Sequence, residues 1–103
     1  MKGYVYLLCD GERFKIGMTT RKNINKRISE LQTGNSDEIW VHTLYETDHP
    51  HIIEKMMHTR YASSNIKNEW FELTPSQVVN FKNNCNACEE LIHAISDNPF
   101  ICG

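Results

Sequence analysis

Tyr4-Val5-Tyr6-Leu7-Leu8-Cys9-Asp10-Gly11-Glu12-Arg13-Phe14-Lys15-Ile16-Gly17 places two β-type runs around an Asp-Gly pair, the strongest short-range signal for a hairpin. A two-residue type I′ loop at Asp10-Gly11 sets Leu7 opposite Phe14, Tyr6 opposite Lys15 and Val5 opposite Ile16. Side chains alternate faces along a strand, so Val5, Leu7, Phe14 and Ile16 make an apolar face, with Tyr4, Tyr6, Arg13 and Lys15 on the other. Directly opposed Cβ atoms lie roughly 4.5 to 5.5 Å apart, within reach of a lysine ammonium for a phenol. A cation there lowers a phenol pKa that starts at about 10, the direction a general base needs. From the hairpin alone, the same pair reads first as ordinary residues on a solvated strand face.

The chain has 103 residues, suited to a single domain with one modest core. Apolar residues are 40% and charged residues 23%, as in ordinary globular proteins, and no run of 18 apolar residues suggests a membrane span. With a strand starting almost at once, no signal peptide is legible, and an intracellular protein is expected. Cys9, Cys85, Cys88 and Cys102 are then expected as free thiols. The net charge of -2 argues against a nonspecific nucleic-acid binder, but the distribution is uneven. Seven cations stand against three anions through Ser36, and four against ten thereafter, so the first part of the chain can still build a local polyanion site.

Beyond the hairpin, Thr19 and Thr20 can cap a helix from Arg21 to about Thr33, with Gly34 as its C′ residue and Ile24, Ile28 and Leu31 as its buried stripe. Arg27 falls about 40° from the edge of that stripe, so its guanidinium emerges at a seam. Residues 35 to 37 read as a loop, 39 to 45 as a third strand, and His49-Pro50 as the start of a second helix whose face is Ile52, Ile53, Met56, Met57 and Tyr61. Glu54 borders that face and His58 follows it by one turn. Thr74-Pro75-Ser76-Gln77 matches a capping box opening a third helix over about 75–96, with Val78, Phe81, Cys85, Cys88, Leu91, Ile92 and Ile95 at near-helical spacing. Residues 97–103 read as a tail. The expected class is α/β in the mixed, α+β sense: a small three-stranded antiparallel sheet flanked by helices, in a single domain over 1–96.

Tyr4-Val5-Tyr6, Lys15-Ile16-Gly17, Arg27 and Ile52-Ile53-Glu54 together resemble the GIY-YIG nuclease superfamily: its two short motifs, its arginine ten residues past the second, and the helix that carries its glutamate. The resemblance covers about residues 3 to 73. It is nearest to a phage and large-virus branch whose second motif reads K-I-G-x-T and which ends in Glu-Trp-Phe, here Lys15 to Thr19 and Glu69 to Phe71. Lys15 replaces the second tyrosine of the founding motif, as in some restriction enzymes of the superfamily, and Asn68 is the nearest match to its late asparagine.

The resemblance implies hydrolysis of a phosphodiester in DNA, RNA not being excluded, with one divalent ion, Mg²⁺ or Mn²⁺. Tyr6 would be the general base, Lys15 would lower its pKa or orient the water, Arg27 would clamp the phosphate, and Glu54 would hold the metal. His58 either assists the leaving group or is an ordinary packed histidine. Tyr4, Arg13, Arg21, Lys22, Lys26 and Asn68 are the candidate substrate contacts, although a charged helix face is often merely solvated. Trp70 reads as core rather than as a base-stacking platform. Cys85-x-x-Cys88, with His93 and Cys102 downstream, is a poor zinc signal because no second such pair exists. A noncatalytic nucleic-acid-binding module and a protein-interaction module on the same fold are the alternatives. With no separate recognition domain in the chain, sequence specificity is expected to be low unless it forms a homodimer or has another partner.

Overall fold

The computed structural model describes residues 2–33 and 38–96. Gly34, the loop expected at 35–37, the tail at 97–103 and Cys102 lie outside them. The elements are β1 (Gly3–Cys9), β2 (Phe14–Thr19), α1 (Ile24–Thr33), β3 (Trp40–Thr47), α2 (Pro50–Arg60), β4 (Asn65–Lys67), β5 (Trp70–Phe71), α3 (Pro75–Val79) and α4 (Phe81–Ser96), with a short 3-10 turn at Ala62–Ser64. The fold is α+β. Its sheet is antiparallel and five-stranded, in the order β3-β1-β2-β5-β4, where three strands were expected. The added strands are three and two residues long, too short for a period-two pattern to show in sequence. They turn at Asn68, whose φ of 54° is left-handed, a region asparagine tolerates.

The hairpin forms, but not with the expected two-residue loop. Cys9 pairs with Phe14, Leu8 with Lys15, Leu7 with Ile16 and Tyr6 with Gly17. The cause is the Asp10 carboxylate. Its Oδ1 accepts the N–H groups of Glu12 at 3.0 Å and Arg13 at 2.6 Å, and Oδ2 takes the Arg13 guanidinium at 3.0 and 2.8 Å. With Asp10 N–H donating to the Arg13 carbonyl at 3.1 Å and Gly11 at φ 101°, the loop spans residues 10–13. An aspartate that bonds its own following backbone outcompetes the tighter turn. The slip is two residues, so every side chain keeps its expected face.

Both faces are covered. Val5, Leu7 and Ile16 join Ile53, Met57, Tyr61, Phe71, Phe81, Cys85 and Cys88 in the main core under α2 and α4. Tyr6 and Leu8 form a second cluster with Ile39, flanked by Ile24, Leu31 and Leu44. Burying each such large apolar side chain contributes about 1.5 to 3 kcal/mol. The polar face expected to show Tyr6 to solvent is therefore an interior one, since α1 lies over it.

Helix boundaries differ in two places. Thr19 belongs to β2, and Asn23 caps α1 by accepting the Lys26 N–H at 3.2 Å. The third helix is two: the capping box at Thr74 and Gln77 is present, but α3 ends at Val79 with Asn80 as its C-cap, and α4 begins at Phe81. Along α4, Phe81, Cys85 and Cys88 are buried and Ile92 packs beside them. Leu91 falls about 90° from the centre of that stripe at 100° per residue, and Leu91 and Ile95 are exposed. Among the described residues, no helix is long and apolar enough to cross a membrane.

Candidate active site

The site grows from the point where β5 stops covering β2. Their pairing ends at Phe14 and Lys15, so Ile16 must satisfy its backbone groups elsewhere. Its N–H donates to the Glu69 carbonyl at 3.0 Å, and its carbonyl lies 2.9 Å from His58 Nε2. A carbonyl only accepts, so Nε2 carries the proton in this contact. The ring of His58 also sits edge-on to Phe71, centroids 5.0 Å apart. One backbone residue thus draws the start of β5 and one row of α2 together.

Glu54, one turn before His58, brings Oε1 to 3.5 Å from Nε2. Ligand-capable atoms of Glu54, His58 and Glu69 all lie within 4.8 Å of one another, each side chain partly buried. Glu69 Oε2 also pairs with Lys15 Nζ at 3.3 Å. Burial pushes the Glu54 carboxyl above its ordinary range, His58 pulls it down, and Glu69 raises it again. Two carboxylates crowded this way gain from a divalent cation, and oxygen donors are what Mg²⁺ and Mn²⁺ take. The two carboxylates fit such an ion, and His58, its Nε2–H turned to the Ile16 carbonyl, stands beside them.

Tyr6 reaches this region from the other face. Its ring lies across Gly17, where an added Cβ would stand 2.6 Å from Cε1 and Cζ. The absent side chain is what lets the ring pass over β2. Tyr6 is 1% exposed, and its hydroxyl has no hydrogen-bond partner among the described residues. Burial pushes its pKa above the usual phenol value. Arg27 pulls it down through charge and the approach of its guanidinium, while Glu69 and Glu54 push it up. The hydroxyl therefore lies in the combined field of Arg27, Glu69 and Glu54.

Lys15 was expected opposite Tyr6. It sits opposite Leu8 instead, its ammonium on Glu69 and 5.4 Å from the Trp70 ring centre. The leading cation at the phenol is Arg27, which also lies 3.9 Å from Glu30. Arg13 is engaged by Asp10 and rests over Trp70, 4.7 Å from the ring centre. Arg21 pairs with Glu30. Tyr4, Arg21 and Lys22 line a different concavity with Lys2, Thr20 and Glu46, and Lys26 is exposed on α1. Asn68 is exposed in its turn, its carbonyl accepting from Asn65 Nδ2 at 2.8 Å. Cys9, Cys85 and Cys88 are free thiols, and burial pushes the Cys85 thiol up to about 12.

Tyr6, Arg27, Glu54 and His58 are thus brought together, with Lys15 joined through Glu69. Glu69 is the member that sequence reasoning left out of the site. Its signal was the Glu-Trp-Phe triplet, whose glutamate stands one residue before β5.

Searches of curated proteins and of solved structures return no match. A family model described as the T5orf172 domain matches residues 3–86, a span that contains every residue of the cluster. That domain is related to the GIY-YIG, nuclease-like group and suggests a nuclease-like or DNA-binding module. The chain belongs to the T5orf172 domain family.

Proposed function

We propose that this chain is a metal-dependent endonuclease that hydrolyses phosphodiester bonds in DNA. The observation that carries the reading is the convergence of a buried phenol without a partner, a guanidinium and a pair of carboxylates around the Gly17 edge of β2. Tyr6 takes the proton of the attacking water. Burial holds that phenol protonated, so Arg27 is the group that makes its ionisation attainable. The same guanidinium, planar and permanently charged, receives the scissile phosphate and stabilises the charge added to it.

Glu54 is the principal ligand for Mg²⁺ or Mn²⁺, with His58 beside it. When bound, such an ion supplies Lewis-acid polarisation of the phosphoryl group and offsets its charge. His58, held by the Ile16 carbonyl beside Glu54, would assist the leaving oxygen. Phosphate contacts without base contacts give little sequence preference, so specificity would come from a second copy or another partner.

The test incubates purified protein with supercoiled plasmid and Mg²⁺ or Mn²⁺. Nicking by the wild type is expected to fall by orders of magnitude in Glu54→Ala and Tyr6→Phe. Equal nicking by all three would mean a contaminating nuclease and would overturn the reading. Tight DNA binding without cleavage would favour a noncatalytic module on the same fold.

A further inference from the structure

Glu69 already holds a cation: the Lys15 ammonium lies 3.3 Å from Oε2. The carboxylate's position is set by backbone, through the Ile16 N–H to Glu69 carbonyl bond and the left-handed Asn68 before it. Asn65 Nδ2 braces that turn by donating to the carbonyls of Asn68 and Trp70 at 2.8 and 3.1 Å. Lys15 is equally placed, on a strand between Leu8 and Trp70, its side chain only 16% exposed. The backbones that carry ion and counter-ion are thus both held at the sheet. The ligand atoms of Glu54 and Glu69 are within 4.8 Å of each other. Octahedral ligands at about 2.1 Å from a metal are roughly 3 Å apart when adjacent, so binding would draw the two carboxylates together. A second feature points to a ligand here: the 1% exposed Tyr6, whose hydroxyl makes no direct hydrogen bond among the described residues and lies in the field of Arg27 first and of both glutamates after it.

We propose that Glu69 is a second carboxylate ligand of the divalent cation, and that Lys15 holds its place until the cation arrives and is then released to nucleic-acid phosphate. The proposal rests on the nuclease-type reading of the site and adds its order of assembly. Without the cation, a phosphate approaching the pocket meets Glu54 unneutralised and Lys15 already paired. With it, the carboxylates are neutralised and Lys15 is free to contact the backbone. Nucleic acid therefore binds productively after the ion.

The test measures Mn²⁺ alone binding to the full chain, by calorimetry and by the electron spin resonance of free Mn²⁺, with far-ultraviolet circular dichroism of each variant. Glu69→Gln is expected to weaken Mn²⁺ binding by about tenfold or more. Lys15→Met is expected to tighten it severalfold, because it removes the competing cation; an ion pair that only braces the sheet would not give that sign. In a Tyr6→Phe background, labelled duplex DNA should bind more tightly in Ca²⁺ than in EDTA, and adding Lys15→Met should shrink the difference to the part that comes from neutralising the carboxylates. If Glu54→Gln abolishes Mn²⁺ binding while Glu69→Gln and Lys15→Met leave it unchanged, this proposal fails and the nuclease-type site stands. If none of the three alters Mn²⁺ binding, both fail.

Discussion

Gly17→Ala probes the contact on which the placement of Tyr6 depends. The added methyl would lie 2.6 Å from Cε1 and Cζ of a ring that is 1% exposed. Carbon atoms settle at about 3.5 to 4.0 Å, so ring or strand must shift by roughly 1 Å. Overpacking of a closed core costs about 1 to 3 kcal/mol. Against it, replacing glycine inside a strand relieves about 0.5 to 1 kcal/mol of backbone entropy. Taken at the middle of each range, the overpacking wins, for a net loss of about 1 kcal/mol. In a domain of this size each kcal/mol lowers Tm by about 4 to 8 °C. Urea and thermal unfolding would read the loss, and the same substitution in a Tyr6→Leu background should be neutral or stabilising. A Gly17→Ala protein as stable as the wild type would refute the crossing of the ring over β2.

Three further outcomes follow from the same geometry. Tyr6→Phe removes a hydroxyl that is buried without a partner, so thermal unfolding should show stability unchanged or raised by about 1 kcal/mol while plasmid nicking is lost; because burial holds the phenol pKa above its usual value, wild-type nicking should still be rising above pH 8. Glu54 has a folded pKa raised above 4.5 by burial, so the unfolded chain releases that proton first, and metal-free stability falls as pH climbs from the unfolded value through the folded one. Glu54→Gln should therefore have a higher Tm than the wild type at neutral pH without metal and a flatter profile from pH 4 upward; a lower Tm would contradict the burial argument. Asp10→Ala, which deletes a 3% exposed carboxylate and its bonds to Glu12 and Arg13, should cost about 1.5 to 3 kcal/mol by urea unfolding. Burial raises the Asp10 pKa, but the Arg13 and Glu12 N–H groups and the guanidinium outweigh it and leave the value lowered, so its contribution is present above the unfolded pKa and disappears as pH falls through the folded one.

Local chemistry accounts for what could be read directly. Asp10-Gly11 announces a hairpin whatever loop it adopts. The alternation of Val5, Leu7 and Ile16 assigns them to one face, because a slip of two residues preserves parity. Pro50 opens α2, and Thr74 with Gln77 caps α3. Spacing along α2 alone put Glu54 and His58 in one row, and the structure has them 3.5 Å apart. Where a choice depended on side-chain bonds within a loop, the reading fell short, as with Asp10 drawing the turn out to residue 13.

Neighbour relations are the part that one-dimensional pattern does not encode. The chain by itself determined strand faces, helix starts and the residue types available for chemistry, since these depend on periods and caps spanning only a few positions. Tertiary structure decided that α1 buries the face carrying Tyr6, that Arg27 rather than Lys15 is the leading cation at the phenol, and that Glu69 arrives beside Glu54. The reason is that each of these needs a contact between distant segments. A two-residue strand such as β5 leaves no periodic trace, yet its pairing with β2 and the backbone bond from Ile16 set the position of Glu69.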